Sequence, residues 1–196
     1  GAWTACRGPE HPRRHAAGSL EVDTPSPVGR PTPQLPFLHR SFRRGRLIAR
    51  LERELDGRIL LLAAGPGYGK SACLADLARA VGARAVWCRL DRSHRDPVRL
   101  ATAIVQAATG EAGSPPDGGD LPGLARWCRG ALEQDRTGPR TLLVLDDLHH
   151  VDDDPHAADL VRRLADESPE GTTLCLATRR RPRFSTAHWR AEGRLV

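Results

Sequence analysis

Eight residues, "AGPGYGKS" at 64–71, carry the most legible chemistry in the chain. Gly65, Gly67 and Gly69 let a backbone curl until its N–H groups converge on an anion. Lys70 is the sole lysine in a chain with 30 lysines and arginines together. An ammonium is a compact charge on a flexible stem, whereas a guanidinium is a wide planar fork. A lysine kept where arginine serves everywhere else therefore marks a position at which shape matters. The chemistry implied is phosphate binding. Lys70 would reach the β- and γ-phosphates of a nucleotide, and the Ser71 hydroxyl would ligate Mg²⁺. A helix starting here would also aim its unpaired N–H groups and partial positive charge at the same anion. The expected binding set is Gly65, Pro66, Gly67, Tyr68, Gly69, Lys70, Ser71 and Ala72, with ATP or ADP and Mg²⁺ as ligands. Ala64 stands where this pattern usually has glycine, a tolerated departure.

A second group is "LLVLDD", 142–147. An apolar strand ending in two carboxylates delivers them to its C-terminal edge, where ligands of open α/β sheets bind. Asp146 would hold Mg²⁺ through water, and Asp147 would orient or deprotonate an attacking water. A third is "LATRRRP", 176–182, in which a strand ends at Thr178 and Arg179. A cation there can touch the γ-phosphate and register its presence. Arg180, Arg181 and Arg183 are read equally well as facing solvent. The stretch "DDLHHVDDDPH" (146–156) is rich in His and Asp, but Asp146 and Asp147 are already assigned and Asp154 reads as a helix cap. A separate metal site is not expected there.

These residues need a scaffold, and the surrounding pattern supplies one. "RILLLAA" (58–64), "RTLLVLDD" (140–147) and "GTTLCLATR" (171–179) are short continuous apolar runs, as expected of strands buried on both faces. "RAVWCRL" (84–90) is a further strand. A helix at about 44–56 shows Leu47, Ile48, Leu51 and Leu55 on one face, with Gly57 as its stop. Leu74, Leu77, Ala78 and Val81 mark the helix after the glycine turn, closed by Gly82. Asp96-Pro97 and Asp154-Pro155 read as the N-cap and first residue of two more helices, the second running to Asp166. Another is expected over 121–135, after a loop at 110–120. Strands alternating with helices imply a three-layer α/β P-loop NTPase with a mainly parallel sheet.

The 196 residues suit one domain with an appended segment. Residues 1–36 hold seven prolines and little periodicity, which predicts a disordered leader or linker ahead of the NTPase domain at 37–196. The chain has no methionine and stops at "EGRLV", which reads as the start of a fifth strand. The expectation is a fragment of a longer protein, truncated at that strand. Five cysteines lie far apart without a C-x-x-C, arguing against a disulfide framework or zinc site and for a reducing compartment. No run approaches a membrane span and no signal peptide opens the chain, so the cytoplasm is the expected location, without membrane contact. A net charge of +6 permits nucleic-acid contact without requiring it, and aromatics at 4% leave little for base stacking.

The segments "GPGYGKS", "VWCRLDRSHRDPVRLATAIVQA", "LLVLDDLHHV" and "TLCLATRRRP" fall in an order that resembles the STAND-type ATPases of large LuxR-family bacterial transcriptional regulators, the group of the maltose-regulon activator. Trp87, Leu90, Asp91, Asp96 and Pro97 match that family's second strand and helix start. Asp146, Asp147 and His149 match its D-D-x-H, and Thr178 and Arg179 its strand-end pair. The turn and helix near 41–56 match its opening segment beside the adenine loosely. The resemblance covers about 35–196. It implies an ATP- or ADP-bound switch with slow hydrolysis, in which Lys70, Asp147 and Arg179 act on the phosphates while Ser71 and Asp146 hold Mg²⁺. It also implies self-association of the full-length protein, and DNA binding only through a C-terminal helix-turn-helix that this sequence lacks. Two competing readings are another AAA-type or signalling P-loop ATPase and a basic nucleic-acid-binding module without nucleotide chemistry.

Overall fold

A computed structural model describes residues 45–55, 58–134 and 140–196. The leader expected at 1–36 lies outside the described residues.

Four strands form one parallel sheet in the order β1-β4-β3-β2: β1 (Ile59–Ala63), β2 (Arg84–Arg89), β3 (Thr141–Asp146) and β4 (Thr172–Thr178). Every residue of β3 and β4 is buried, which is why these strands read as unbroken apolar runs. Alternate residues feed two cores. Leu60, Ala85, Leu142, Val144, Cys175 and Ala177 point to one face of the sheet. That face is covered by α1 (Gly45–Glu52) and α2 (Lys70–Ala80). Val86, Cys88, Leu143, Leu145, Leu174 and Leu176 point to the other. There they meet α3 (Pro97–Thr109), α4 (Leu121–Glu133), α5 (Pro155–Asp166) and α6 (Ala187–Ala191). The expected three-layer architecture is present.

Helix starts follow local chemistry. Asp96, Asp120 and Asp154 each sit at an N-cap and accept a backbone N–H of the first turn, and a proline follows inside each helix start. Where the sequence predicts a fifth strand, the structure has an isolated bridge rather than a strand. Leu195 bridges Ile59 in parallel, and the Ile59 and Leu61 N–H groups donate to Arg194 O (2.7 Å) and Val196 O (3.0 Å).

Two departures from the sequence reading have identifiable causes. The first helix ends at Glu52, short of 56. Beyond it the chain tightens, with the Glu54 N–H closing on Leu51 O (2.9 Å), and the Leu55 carbonyl accepts from Thr173 Oγ1 (2.7 Å) instead of from a further helical turn. Leu55 is nevertheless buried, in the turn after the helix. The second departure is α6, which sequence periodicity does not announce. This helix is one turn long and is held by tertiary contacts. Trp189 is fully buried, meets Phe184 edge to face at 6.0 Å, and donates from Nε1 to Asp166 Oδ1 (3.0 Å).

Cys73, Cys88, Cys128 and Cys175 are buried in the cores, where cysteine packs as a small hydrophobe. Burial pushes the Cys88, Cys128 and Cys175 thiols up to about 12. Among the described residues no helix is long and apolar enough to cross a membrane.

Candidate phosphate-binding cleft

The cleft is built where β1, β3 and β4 end. Leaving β1, the chain is pinned by the Ala64 N–H, which donates to Thr178 O at the end of β4 (3.1 Å). It then turns through Gly67 and Gly69, both left-handed at φ 79° and 72°. A Cβ at Gly67 would meet nothing within 4 Å, so glycine is required there for backbone freedom rather than for room. Gly69 is the N-cap of α2. Lys70 folds back across the loop, and its Nζ donates to Ala64 O (2.7 Å) and Gly65 O (2.9 Å). An ammonium has three donors, so one N–H remains for a further acceptor.

From β3 come the two carboxylates. Asp146 is buried, and its Oδ2 accepts from Ser71 Oγ at 2.7 Å while its Oδ1 accepts from the Asp147 N–H at 3.0 Å. Residues 75 apart in sequence thus place a hydroxyl and a carboxylate side by side. These are the hard oxygen donors that Mg²⁺ selects, so the residues present fit that ion. Asp147 is the sole non-glycine residue with positive φ (59°) among the described residues. Aspartate tolerates this left-handed conformation better than most side chains. The kink separates the two neighbouring carboxylates: Asp146 faces α2, and Asp147 faces the cations of the flanking strands. Its Oδ2 lies 3.4 Å from Arg89 Nε and its Oδ1 4.0 Å from Arg179 Nε.

Pro66, Gly67, Gly69, Lys70, Ser71, Ala72, Asp146, Asp147 and Arg179 therefore share one open cleft of about 290 Å³. Gly65 and Tyr68 belong to the same loop but do not line it. The Tyr68 side chain projects outward and is 65% exposed, with its ring 3.4 Å from where a Gly65 Cβ would stand. Arg89 is a lining residue that the sequence reading missed. Its signal is structural: β2 pairs with β3 in a register that sets Arg89 opposite Asp146. With Lys70 and Arg179 it makes three cations around two carboxylates, a balance suited to a phosphate chain carrying a divalent metal. A larger hollow of about 450 Å³ between α3 and α4, lined in part by Val105 and Trp127, offers no comparable convergence of charge.

The acidic stretch beyond the cleft is structural. Asp154 caps α5, Arg95 holds Asp153 through both carboxylate oxygens (2.8 and 2.9 Å), and Arg180 reaches the fully buried Asp152 (2.9 Å). Among the described residues no cluster of His, Cys, Asp and Glu could hold a metal. Arg180 thus pairs rather than simply facing solvent, and Arg183 lies 3.7 Å from Asp153. Arg180→Ala would leave a carboxylate buried without its cation. The expected loss is about 2 kcal/mol, read from the urea midpoint at unchanged slope. A midpoint equal to that of the parent protein would show that the pair contributes nothing.

Solved structures are similar to this chain at low identity. A structure of the Aeropyrum pernix ORC1 protein in complex with DNA matches at 20% identity and TM-score 0.46, over 79% of this chain and 42% of that one. A structure of Drosophila ORC bound to DNA matches at 14% identity and TM-score 0.50, over 77% of this chain and 85% of that one. The chain thus spans less than half the length of the Aeropyrum protein. No curated protein matches it in sequence. A family model describing an AAA domain matches residues 53–183, a span running from the turn after α1 through the phosphate loop and both carboxylates to the arginines beyond β4. The chain belongs to that family of AAA-type P-loop ATPase domains.

Proposed function

We propose that the protein binds Mg·ATP in the cleft and hydrolyses it slowly, as a nucleotide-dependent switch in a bacterial transcriptional regulator. The observation that carries the nucleotide reading is the 2.7 Å contact between Ser71 and Asp146, which unites the phosphate-loop helix with the β3 carboxylate. Ser71 and Asp146 are the residues that would hold Mg²⁺, whose charge offsets that of the phosphates and of the leaving diphosphate. Lys70 turns its remaining proton to a phosphate oxygen while its other two keep the loop closed. Arg89 and Arg179 exchange Asp147 for phosphate oxygens, which frees that carboxylate to orient water. Arg179 leads directly into Arg180 and Arg183, which are fastened to Asp152 and Asp153, so a change at the phosphate is passed to this arm.

Membership of a transcriptional regulator is supported by the order of the four motif segments, and self-association by the same likeness. The second reading is an AAA-type ATPase of another assembly, favoured by the family match itself. Titration with a fluorescent ATP analogue is expected to show saturable, Mg²⁺-dependent binding; its absence would end the nucleotide reading. Residues 1–196 are further expected to turn over ATP slowly and to bind DNA weakly, without sequence preference and with steep loss in salt. Tight binding of one DNA sequence at physiological salt, measured by gel shift, would replace the switch reading with that of a self-sufficient DNA-binding effector.

A further inference from the structure

His149 has no part in the nucleotide contacts above, yet its surroundings tie it to Asp147. It lies in a short 3₁₀ helix, Leu148–His150, whose N-cap is the left-handed Asp147. Leu148 anchors that turn in the core, and the His150 N–H closes it on Asp147 O at 3.1 Å. The imidazole is 13% exposed and packs on His150 with ring centroids 4.2 Å apart. Its Nδ1 is buried, has no hydrogen-bond partner, and stands 3.8 Å from Asp147 Oδ1. That distance is too long for a hydrogen bond, and a small rotation of the carboxylate closes it. Burial lowers the pKa of His149 below the usual histidine range; His150, Arg179 and Arg180 act the same way and Asp147 opposes them. A neutral ring has one N–H and one lone pair. A lone pair at Nδ1 would face a carboxylate oxygen, so the proton belongs on Nδ1.

We infer that His149 is the positioning residue of Asp147: once Arg89 and Arg179 turn to phosphate, its Nδ1–H donates to an oxygen of the rotated carboxylate and fixes the direction in which Asp147 holds water. A neutral donor suits this task. It aligns the carboxylate without the full opposing charge that would strip its basicity. Both arginines supply that charge, and both are needed at the phosphates. The inference rests on the hydrolytic reading above.

The test uses the whole chain with His149→Ala, His149→Asn, Asp147→Asn and the double variant Asp147→Asn/His149→Ala. First, ¹⁵N imidazole spectra at neutral pH are expected to show His149 as the Nδ1–H tautomer; the Nε2–H tautomer would overturn the inference whatever the turnover. Second, His149→Ala is expected to keep ATP-analogue affinity within about twofold while single-turnover hydrolysis falls about tenfold, the usual scale for a partner that orients a reacting group. His149→Asn, which retains a donor, should recover most of that rate. The double variant should be no slower than Asp147→Asn alone, because the two residues act as one unit. Full activity in His149→Ala, equal loss in His149→Asn, or additive losses would each overturn it. Failure of the parent protein to bind the analogue would instead refute the nucleotide reading itself.

Discussion

Lys70→Ala is expected to weaken Mg·ATP binding by about ten- to a hundredfold while the domain stays folded. A hydrogen bond to a charged group contributes about 1.5–3 kcal/mol, and each 1.4 kcal/mol is about tenfold in affinity. The side chain also ties Ala64 O to Gly65 O, so its loss loosens the loop that must present N–H groups to the phosphates. The fold should survive, because alanine suits a first helical turn and the freed carbonyls lie beside an open cleft where water can reach them. Lys70→Arg is the sharper experiment. A planar guanidinium cannot point separate donors at two loop carbonyls and a phosphate from one compact centre, so this variant should also bind poorly. Affinity equal to that of the parent protein in a folded Lys70→Arg variant would refute the account of why one lysine stands among so many arginines. The readouts are analogue titration and thermal unfolding by circular dichroism.

The two carboxylates at the end of β3 should separate binding from chemistry. Asp146 serves Ser71 and the Asp147 N–H from its two oxygens. An asparagine has one acceptor oxygen and no charge, so Asp146→Asn loses one of these bonds and the attraction for a divalent cation. Mg²⁺-dependent affinity is expected to drop steeply, with little left of the difference between titrations in Mg²⁺ and in EDTA. Asp147→Asn should retain nucleotide. Asparagine tolerates φ near 59° about as well as aspartate, so the kink persists. Its amide cannot accept a proton from water, and hydrolysis should fall by roughly 10²–10⁴-fold, the range for a lost general base. Comparable loss of affinity in both variants would remove the distinction between their roles.

Much of this arrangement is legible in the sequence because its causes are local. Buried parallel strands leave unbroken apolar runs, as at 142–145 and 174–177, and aspartate before proline marks the starts of α3 and α5. The glycine turn and its lysine declare themselves through conformational and charge requirements confined to eight residues. What escapes reading depends on partners distant in sequence. Arg89 is one of many arginines until β2 aligns with β3 and places it opposite Asp146. The helix of Trp189 has too few residues to display a period, and its burial follows from the far side of the sheet. The turn after α1 is held by Thr173, 118 residues away from the Leu55 carbonyl it captures. Arg180 and Arg183 resemble solvent-facing charges until the acidic stretch after β3 folds against them.

The four buried thiols turn the two faces of the sheet into separate clocks. Burial keeps the Cys88, Cys128 and Cys175 thiols protonated at neutral pH, and the thiolate is the form that reacts with alkylating reagents. Labelling must therefore wait for the structure around each sulfur to open. Cys175 lies in the core beneath α1 and α2, beside Cys73 on the helix that begins at Lys70. Cys88 and Cys128 lie in the opposite core, under α3 and α4. Modification rates at the two pairs measure the opening of each layer independently. A ligand gripped by the start of α2 slows the first clock before it slows the second.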